Sequence, residues 1–198
     1  MKDLTNRQMQ ALNTKSKIYE SACRLFSKHD YKDVTIQDIC NEARVAVGVF
    51  YHYFSSKSAI LDECYEVFYE QMVKKIEQYN DVAPIDRIRS IIRGGGQIRL
   101  NRGRTFFSLL LKYELSQANY YNKYPRNSYG LIYDAVSNAI KHNILFGDAK
   151  VIADDIQKAA RGATYEWCVR NDDSYDYEEE LIRGVNIILA YYSNQPTI

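Results

Sequence analysis

The spacing of apolar residues constrains this chain more than any other feature of its sequence. Apolar residues recur mainly three and four positions apart, with little of the alternation that a half-buried strand requires. Only three prolines interrupt the 198 residues. Because such spacing gathers apolar side chains on one side of an α-helix, the sequence predicts an all-α protein of nine to ten helices.

Three helices are predicted near the N-terminus. Residues 1–14 are polar and form either a frayed arm or a helical extension, and the first firm helix is predicted over residues 15–28. Thr35 and Asp38 have the three-residue offset of a capping box, which places the start of a second helix directly after Thr35. The apolar pattern breaks at residues 44–46, and a short third helix follows.

Two short helices joined by a tight turn, with a bracing helix before them, are the ingredients of a DNA-binding helix-turn-helix. The second short helix then needs one apolar side that packs and one open side that enters the major groove. The side predicted to pack carries Ala46, Phe50, Tyr53 and Phe54. The opposite side carries Val47, Gly48, Tyr51, His52 and Ser55. Gly48 lacks a side chain, so the backbone there can closely approach a base edge or a phosphate.

The stretch from Lys15 to Leu61 resembles the DNA-binding domain of the TetR family of transcriptional regulators. The resemblance lies in Thr35-Ile36-Gln37-Asp38-Ile39, in the run from Ala43 to Phe54, and in Lys57. It implies a homodimeric regulator, acting as a repressor, that binds a palindromic double-stranded DNA operator and is released by a small-molecule effector. Carried over by position, it implies phosphate contacts from Thr35, Tyr51 and Lys57, and base-reading positions at Gln37, Val47, Gly48 and His52.

Two positions depart from the pattern of the family. Arg44 stands in the turn where the family usually has glycine, and it is either an added phosphate contact or a solvated surface charge. Ala46 stands where a serine or threonine usually caps the reading helix, a loss of about 1 kcal/mol of helix stability. Tyr51 and His52 have packed aromatic residues as their alternative interpretation. With Arg44, the predicted DNA-binding set is Thr35, Gln37, Arg44, Val47, Gly48, Tyr51, His52 and Lys57.

Residues 1–60 are predicted to form the helix-turn-helix domain, and residues 61–198 a larger helical domain that binds the effector and dimerises. Further helices are predicted over residues 57–79, from Pro84 onward, and over residues 104–118, 126–145, 148–171 and 176–193, with Asp148 and Asp176 at the starts of the last two. Gly94–Gly96 interrupt the helix that begins at Pro84. They either end it or kink it, and a kink is hypothesised to open the ligand cavity.

Aromatic residues of the larger domain are candidates for an effector pocket, because such pockets are mainly apolar with a few polar anchors. An ordinary hydrophobic core explains the same residues. The candidate ligand-binding residues, for an unknown effector of apolar or aromatic character, are Phe106, Phe107, Tyr113, Tyr129, Tyr133, Tyr165 and Trp167. The resemblance also implies a homodimer through the helices at about 148–171 and 176–193. The apolar stripes that permit it are Ile152, Ile156, Ala160, Ala163 and Trp167, and Leu181, Val185, Ile188, Leu189 and Tyr192.

Cysteine and histidine positions give no support for a metal site or a cofactor. Cys23, Cys40, Cys64 and Cys168 form no CxxC pair, and the three histidines are scattered, so the cysteines are expected to be buried free thiols. No Ser/His/Asp order, nucleophile elbow, phosphate loop or HExxH helix is present, so an enzyme is not expected. A helical adapter that binds protein through its N-terminal domain is the alternative function, and a small all-α enzyme is the third.

Charge and hydropathy limit the kinds of partner that the sequence predicts. Residues 1–60 hold nine basic against six acidic side chains, which makes the predicted reading domain weakly basic. No apolar run approaches the ~20 residues of a membrane span, and the first residues hold no apolar signal core. The sequence therefore predicts a cytoplasmic protein without a membrane partner.

Overall fold

The computed structural model describes residues 5–76, 82–117, 128–170 and 174–193. Within those ranges the chain forms nine α-helices and no strand, which confirms the all-α prediction. The helices are α1 (Asn6–Lys28), α2 (Ile36–Ala43), α3 (Val47–Tyr53), α4 (Lys57–Ile76), α5 (Pro84–Arg102), α6 (Arg104–Ser116), α7 (Ser128–Lys141), α8 (Ala149–Val169) and α9 (Tyr177–Ser193). Backbone contacts divide the chain into two compact units, Met1–Cys64 and Tyr65–Ile198.

Helix α1 begins at Asn6 and not near Lys15, so the polar segment before Lys15 is a helical extension in its described part. Thr5 caps it, because its hydroxyl oxygen accepts the amide of Gln8 at 3.3 Å while the Gln8 side chain accepts the Thr5 amide at 2.9 Å. The residues that follow this capping box form no apolar stripe. The hydrophobic periodicity therefore could not show where α1 starts.

Buried residues from successive helices hold the first unit together. Ile18, Phe26, Ile39 and Phe50 are each at most 1% exposed, and they bring α1, α2 and α3 onto one core. Burying large apolar side chains of this kind contributes roughly 1.5–3 kcal/mol each. The surface adds an ion pair between Arg24 and Glu42 at 3.1 Å, which joins α1 to α2.

In the second unit, α5 runs without interruption through Gly94–Gly96, so the prediction that these glycines break the helix is wrong. All three are buried. A Cβ on Gly95 would lie 2.9 Å from the Met72 sulfur, and a Cβ on Gly96 would lie 2.7 Å from Leu181 Cδ2. The glycines let neighbouring side chains approach the α5 backbone, and this packing outweighs their cost of about 1 kcal/mol each inside a helix.

Helices α8 and α9 pack against each other with their predicted stripes facing inward. Ile152, Ile156, Trp167, Leu181 and Val185 are all buried. Trp167 stacks on Tyr177 with ring centroids 4.8 Å apart, and the buried hydroxyls of Thr164 and Tyr177 are hydrogen-bonded at 3.0 Å. These apolar stripes are expected from the sequence to pack both within the chain and against a second protomer. Most of their side chains are buried within the chain itself.

The exposed apolar side chains of α8 and α9 are different ones. They are Val151, Tyr165, Val169, Ile187 and Tyr191, each between 49% and 62% exposed. The three α8 residues lie on one face of that helix, since 14 and 18 residues are close to whole numbers of helical turns. Sequence reasoning missed this face because its apolar residues are sparse and separated by charged side chains.

The predicted helix caps at Asp148 and Asp176 are present, and three of the four cysteines are buried as predicted. Asp148 accepts the Val151 amide at 3.0 Å and Asp176 accepts the Glu179 amide at 2.9 Å, as predicted. Cys23, Cys40 and Cys64 are buried free thiols, but Cys168 is only half-buried. Its position near the C-terminal end of α8 leaves it partly open to solvent.

Candidate nucleic-acid interface

The packed side of α3 fixes this short helix to the first unit. Phe50 is fully buried and Phe54 is 3% exposed, while Tyr53 is half-buried. Ala46, predicted to pack beside them, is exposed instead. As the N-cap it has extended backbone angles and precedes the first helical turn, so the helical period does not set its direction. No side chain caps α3 at this position, as its alanine predicts.

The opposite side of α3 is open. Gly48, Tyr51, His52 and Ser55 are exposed, and Val47 is half-buried. Tyr51 is 55% exposed and its ring meets Phe50 edge-on at 5.5 Å. The His52 ring meets Tyr53 edge-on at 4.8 Å. These ring contacts limit the rotation of the Tyr51 and His52 side chains, and the polar atoms of both stay accessible.

No described residue gives a packing reason for Gly48. A Cβ built at this position meets no heavy atom of the described ranges within 4 Å, and its backbone is helical. Alanine would therefore fit, and it would favour the helix by about 1 kcal/mol. Gly48 differs in this respect from Gly95 and Gly96, where a Cβ would come within 3 Å of neighbouring side chains.

Helix α2 and its N-cap supply two further exposed residues of the predicted DNA-binding set. Thr35 is the N-cap, and its hydroxyl accepts the Asp38 amide at 3.1 Å. The Asp38 carboxylate in turn accepts the Thr35 amide at 2.8 Å, which confirms the capping box. The hydrogen bond that the Thr35 hydroxyl donates to the Asp38 carboxylate at 2.6 Å, together with the one from the Thr35 amide, holds the pKa of Asp38 below its ordinary value. Gln37 is exposed, and its side-chain amide donates to Asn41 Oδ1 at 2.9 Å.

Lys57 lies at the first residue of α4 with its ammonium group already engaged. Its Nζ donates to the carbonyl oxygens of Tyr31 and Val34, each at 2.5 Å, and lies 4.2 Å from the centroid of the Tyr31 ring. Burial lowers the pKa of Lys57, and the nearby Asp33 opposes that change. Lys57 thus fixes the connection between α1 and α2. Sequence reasoning missed this role because the contacts span 23 and 26 residues.

Arg44 occupies the turn between α2 and α3 in a left-handed conformation, with φ 56° and ψ 49°. Its amide donates to the carbonyl oxygens of Asn41 and Cys40, which ends α2. Glycine adopts these angles without strain, which gives a physical reason for the glycine expected at this turn. The Arg44 side chain itself is exposed.

The seven aromatic candidates of the second unit fall into separate places. Phe106, Phe107 and Trp167 are buried together, with centroid distances of 5.9 Å from Phe107 to Phe106 and 6.5 Å from Phe107 to Trp167. Tyr129 and Tyr133 stack on α7 at 6.5 Å, with Tyr133 exposed. Tyr113 is half-buried on α6, and Tyr165 is exposed on α8. The structure therefore gathers only three of the seven into one buried cluster.

In the described ranges, no three His, Cys, Asp or Glu side chains are close enough together to hold a metal ion. No helix in those ranges has the length and apolar content to cross a membrane.

Comparison with known proteins identifies the region that carries this interface. Residues 18–64 match the family model of bacterial regulatory proteins of the tetR family. The uncharacterised HTH-type transcriptional regulator YuxN of Bacillus subtilis is 34% identical over 59 residues, which is 30% of this chain. The matched stretch is only 20% of the length of YuxN, so the likeness concerns the N-terminal region alone.

Solved structures extend the similarity in fold to nearly the whole chain. SmeT, the repressor of a multidrug efflux pump of Stenotrophomonas maltophilia, superposes in its triclosan complex with a TM-score of 0.71 at 19% identity, covering 92% of this chain and 93% of SmeT. The regulator FadR of Bacillus subtilis, in complex with stearoyl-CoA, gives 0.69 at 19% identity, covering 88% and 97%. Residues 18–64 therefore match the family model of bacterial regulatory proteins of the tetR family, and these solved structures show that nearly the whole chain shares their fold.

Proposed function

We propose that this protein is a DNA-binding transcriptional repressor that is released from a palindromic operator by a small-molecule effector. Gly48 is the observation that carries the DNA-binding part of the proposal. It is exposed on the open side of α3, and no described residue requires it to lack a side chain. A base edge or sugar-phosphate backbone that approaches α3 closely supplies the missing reason.

The residues around Gly48 supply the chemistry of DNA recognition. The exposed Tyr51 hydroxyl can donate to a phosphate oxygen, and Thr35 stands at the positive end of the α2 dipole, which favours an anion. Gln37 and His52 carry donors and acceptors suited to base edges, and Val47 suits the methyl group of thymine. Arg44 adds an exposed positive charge at the turn. Lys57 contributes to this surface by fixing the connection that precedes Thr35, and its remaining N–H can donate to phosphate.

A homodimer accounts for the exposed apolar face of α8 and α9. Val151, Tyr165 and Val169 lie along α8, and Ile187 and Tyr191 lie along α9. A symmetric contact through these helices would form a four-helix bundle and remove that apolar surface from water. Two protomers would then present two reading helices to successive turns of one face of the duplex, about 34–36 Å apart.

Effector release is supported by the complexes of similar fold. The SmeT complex holds triclosan and the FadR complex holds stearoyl-CoA. In this chain α4 begins beside the connection to α2 and continues into the second unit, so a movement of α4 on effector binding would reach the reading surface. Such a switch requires the effector to bind the two states with different affinity.

Selection of genomic DNA by the purified full-length protein tests the proposal. We expect recovery of fragments that share an inverted repeat, with an affinity that falls steeply as salt rises because bound phosphates release counterions. Failure to enrich any sequence, or binding that does not respond to salt, would contradict DNA recognition. In that case the same open surface would have to bind protein.

A further inference from the structure

The second unit contains a small, partly open cavity that has polar groups on one side. It measures about 20 Å³, enough for one water molecule. Apolar side chains of α4, α5, α7 and α9 form most of its wall, among them Met72, Ile91, Ile132 and Leu181. Its polar groups come from α5 and α8.

Arg99 is the first of these polar groups. Its guanidinium carbon lies 4.9 Å from the centroid of the Phe68 ring and 5.8 Å from that of Phe107, so the charged group sits beside two aromatic rings. Among the described residues it makes no ion pair and no hydrogen bond, and it is half-buried. A guanidinium group has five N–H donors, and no described residue accepts a hydrogen bond from those of Arg99.

The other polar groups at the cavity do not compensate this charge. Arg161 lines the cavity too, but it is paired with Glu114, whose side chain is only 14% exposed. Gln157 carries no charge, and its side chain makes no hydrogen bond to another described residue. Among the described residues, the two arginines of the cavity and the Glu114 carboxylate leave the charge of Arg99 without an opposite charge beside it.

We propose that this cavity anchors the effector, and that the effector is a small apolar monocarboxylate whose anionic group pairs with Arg99. The inference rests on the proposed effector-responsive function and adds the chemical class of the ligand. The two oxygens of a carboxylate match the fork of a guanidinium group, and a single negative charge matches the single unpaired positive one. The amide of Gln157 is placed to donate to the same group, while the apolar tail lies against Met72 and Ile132.

Met72 and Arg99, whose side chains line the cavity, can also move to enlarge it. A Cβ on Gly95 would lie 2.9 Å from both the Met72 sulfur and an Arg99 guanidinium nitrogen, so these two flexible side chains fill the space over the glycine. Methionine repacks readily because its chain is unbranched. Movement of Met72 and Arg99 would enlarge the cavity around a ligand of several carbon atoms without breaking α5.

Calorimetric titration of the full-length protein with hexanoate, octanoate and decanoate tests the proposal, with 1-octanol and octylamine as neutral and cationic counterparts. We expect saturable binding of at least one carboxylate, and binding of octanol and octylamine weaker by tenfold or more. Trp167, the single tryptophan, gives a second readout, because Phe107 lies beside both Trp167 and Arg99. Its fluorescence should change with the same affinity.

Arg99→Met removes the charge while keeping an extended side chain, and should weaken carboxylate binding at least tenfold. Arg93→Met, an exposed position on the same helix, should leave it unchanged. Gly95→Ala, which keeps Arg99 but fills its space, should weaken binding as well. Should Arg99→Met fail to fold by circular dichroism, Arg99→Lys replaces it, with weakened binding expected because the planar fork is lost.

The proposal is overturned if no carboxylate binds, if octanol binds as tightly as octanoate, or if the charge-removing variant binds octanoate like the wild type. DNA capture measured without any effector tests the proposed DNA-binding function separately from the proposed class of effector. A protein that selects an operator but binds no carboxylate retains the proposed DNA-binding function and refutes this ligand class.

Discussion

The ammonium group of Lys57 donates to the backbone carbonyl oxygen of Tyr31 at 2.5 Å and lies 4.2 Å from the centroid of the ring of that same residue. A second bond, to the Val34 carbonyl oxygen, makes Lys57 a brace between the start of α4 and the segment that leads into Thr35. A lysine expected only to touch phosphate thus also positions the N-cap of α2. Its substitution should affect both stability and DNA binding.

Lys57→Met should lower the free energy of unfolding by about 1–3 kcal/mol, because hydrogen bonds from a charged donor to two carbonyls are lost. DNA affinity should fall too, and the slope of its logarithm against log salt should decrease by about one if Lys57 also reaches a phosphate. Urea unfolding and salt-dependent binding measure the two effects. Lys28→Met, at the exposed end of α1, is the control and should leave stability nearly unchanged.

Arg44→Gly should stabilise the protein by about 0.5–1 kcal/mol, because glycine adopts φ 56° without the penalty of a β-carbon. Arg44→Ala retains that penalty and should give no gain. Both variants lose the charge, so they should weaken operator binding equally if the arginine contacts phosphate. Equal stabilities of the two variants would refute the argument from backbone strain, and unchanged binding in both would leave Arg44 as a solvated charge.

Acid should weaken the start of α2 through Asp38. Hydrogen bonds from Thr35 lower the folded-state pKa of this carboxylate, so its contribution is present above the unfolded pKa and is lost as pH falls through the folded value. Thermal unfolding should therefore show a loss at roughly pH 4 and below that is smaller in Asp38→Asn, which has no carboxylate to protonate. An identical acid dependence in the two proteins would exclude this contribution.

Gly96 on α5 and Gly130 on α7, two glycines of the second unit, predict opposite effects of alanine substitution on stability. A Cβ at position 96 would come within 2.7 Å of Leu181, which is 1% exposed, so Gly96→Ala should destabilise by about 1–3 kcal/mol. Gly130→Ala on α7 meets no atom within 4 Å and should stabilise by up to about 1 kcal/mol. Chemical denaturation compares them. A stabilising Gly96→Ala would mean that close packing does not explain the glycine.

Local patterns in the sequence predicted much of this architecture. The capping box of Thr35 and Asp38, the caps at Asp148 and Asp176, and the alternation of buried and open positions in α3 all depend on residues within one or two helical turns. Such interactions can be inferred from spacing alone. The family resemblance rests on the same short stretch of chain.

The features that sequence reasoning missed depend on partners far along the chain. The packing of Gly96 is explained by Leu181, and the engagement of Lys57 by Tyr31 and Val34. Periodicity also shows which residues share a helical face but not what covers that face. For this reason the aromatic residues of the second unit divided into buried and exposed groups that their spacing could not separate.

Gly48→Ala is expected to separate stability from function. The added methyl group meets no atom of the described residues within 4 Å, and alanine favours the helix, so the free energy of unfolding should rise by about 0.5–1 kcal/mol. If DNA approaches this point as proposed, the same methyl group obstructs it, and operator affinity should fall tenfold or more. Gly130→Ala supplies the matched control, since it should stabilise similarly without altering DNA binding. Fluorescence anisotropy with the selected operator measures the affinities. A Gly48→Ala protein that is more stable and binds the operator as tightly as the wild type would show that the bare backbone of α3 is not a site of close contact, and the proposed docking of this helix would be wrong.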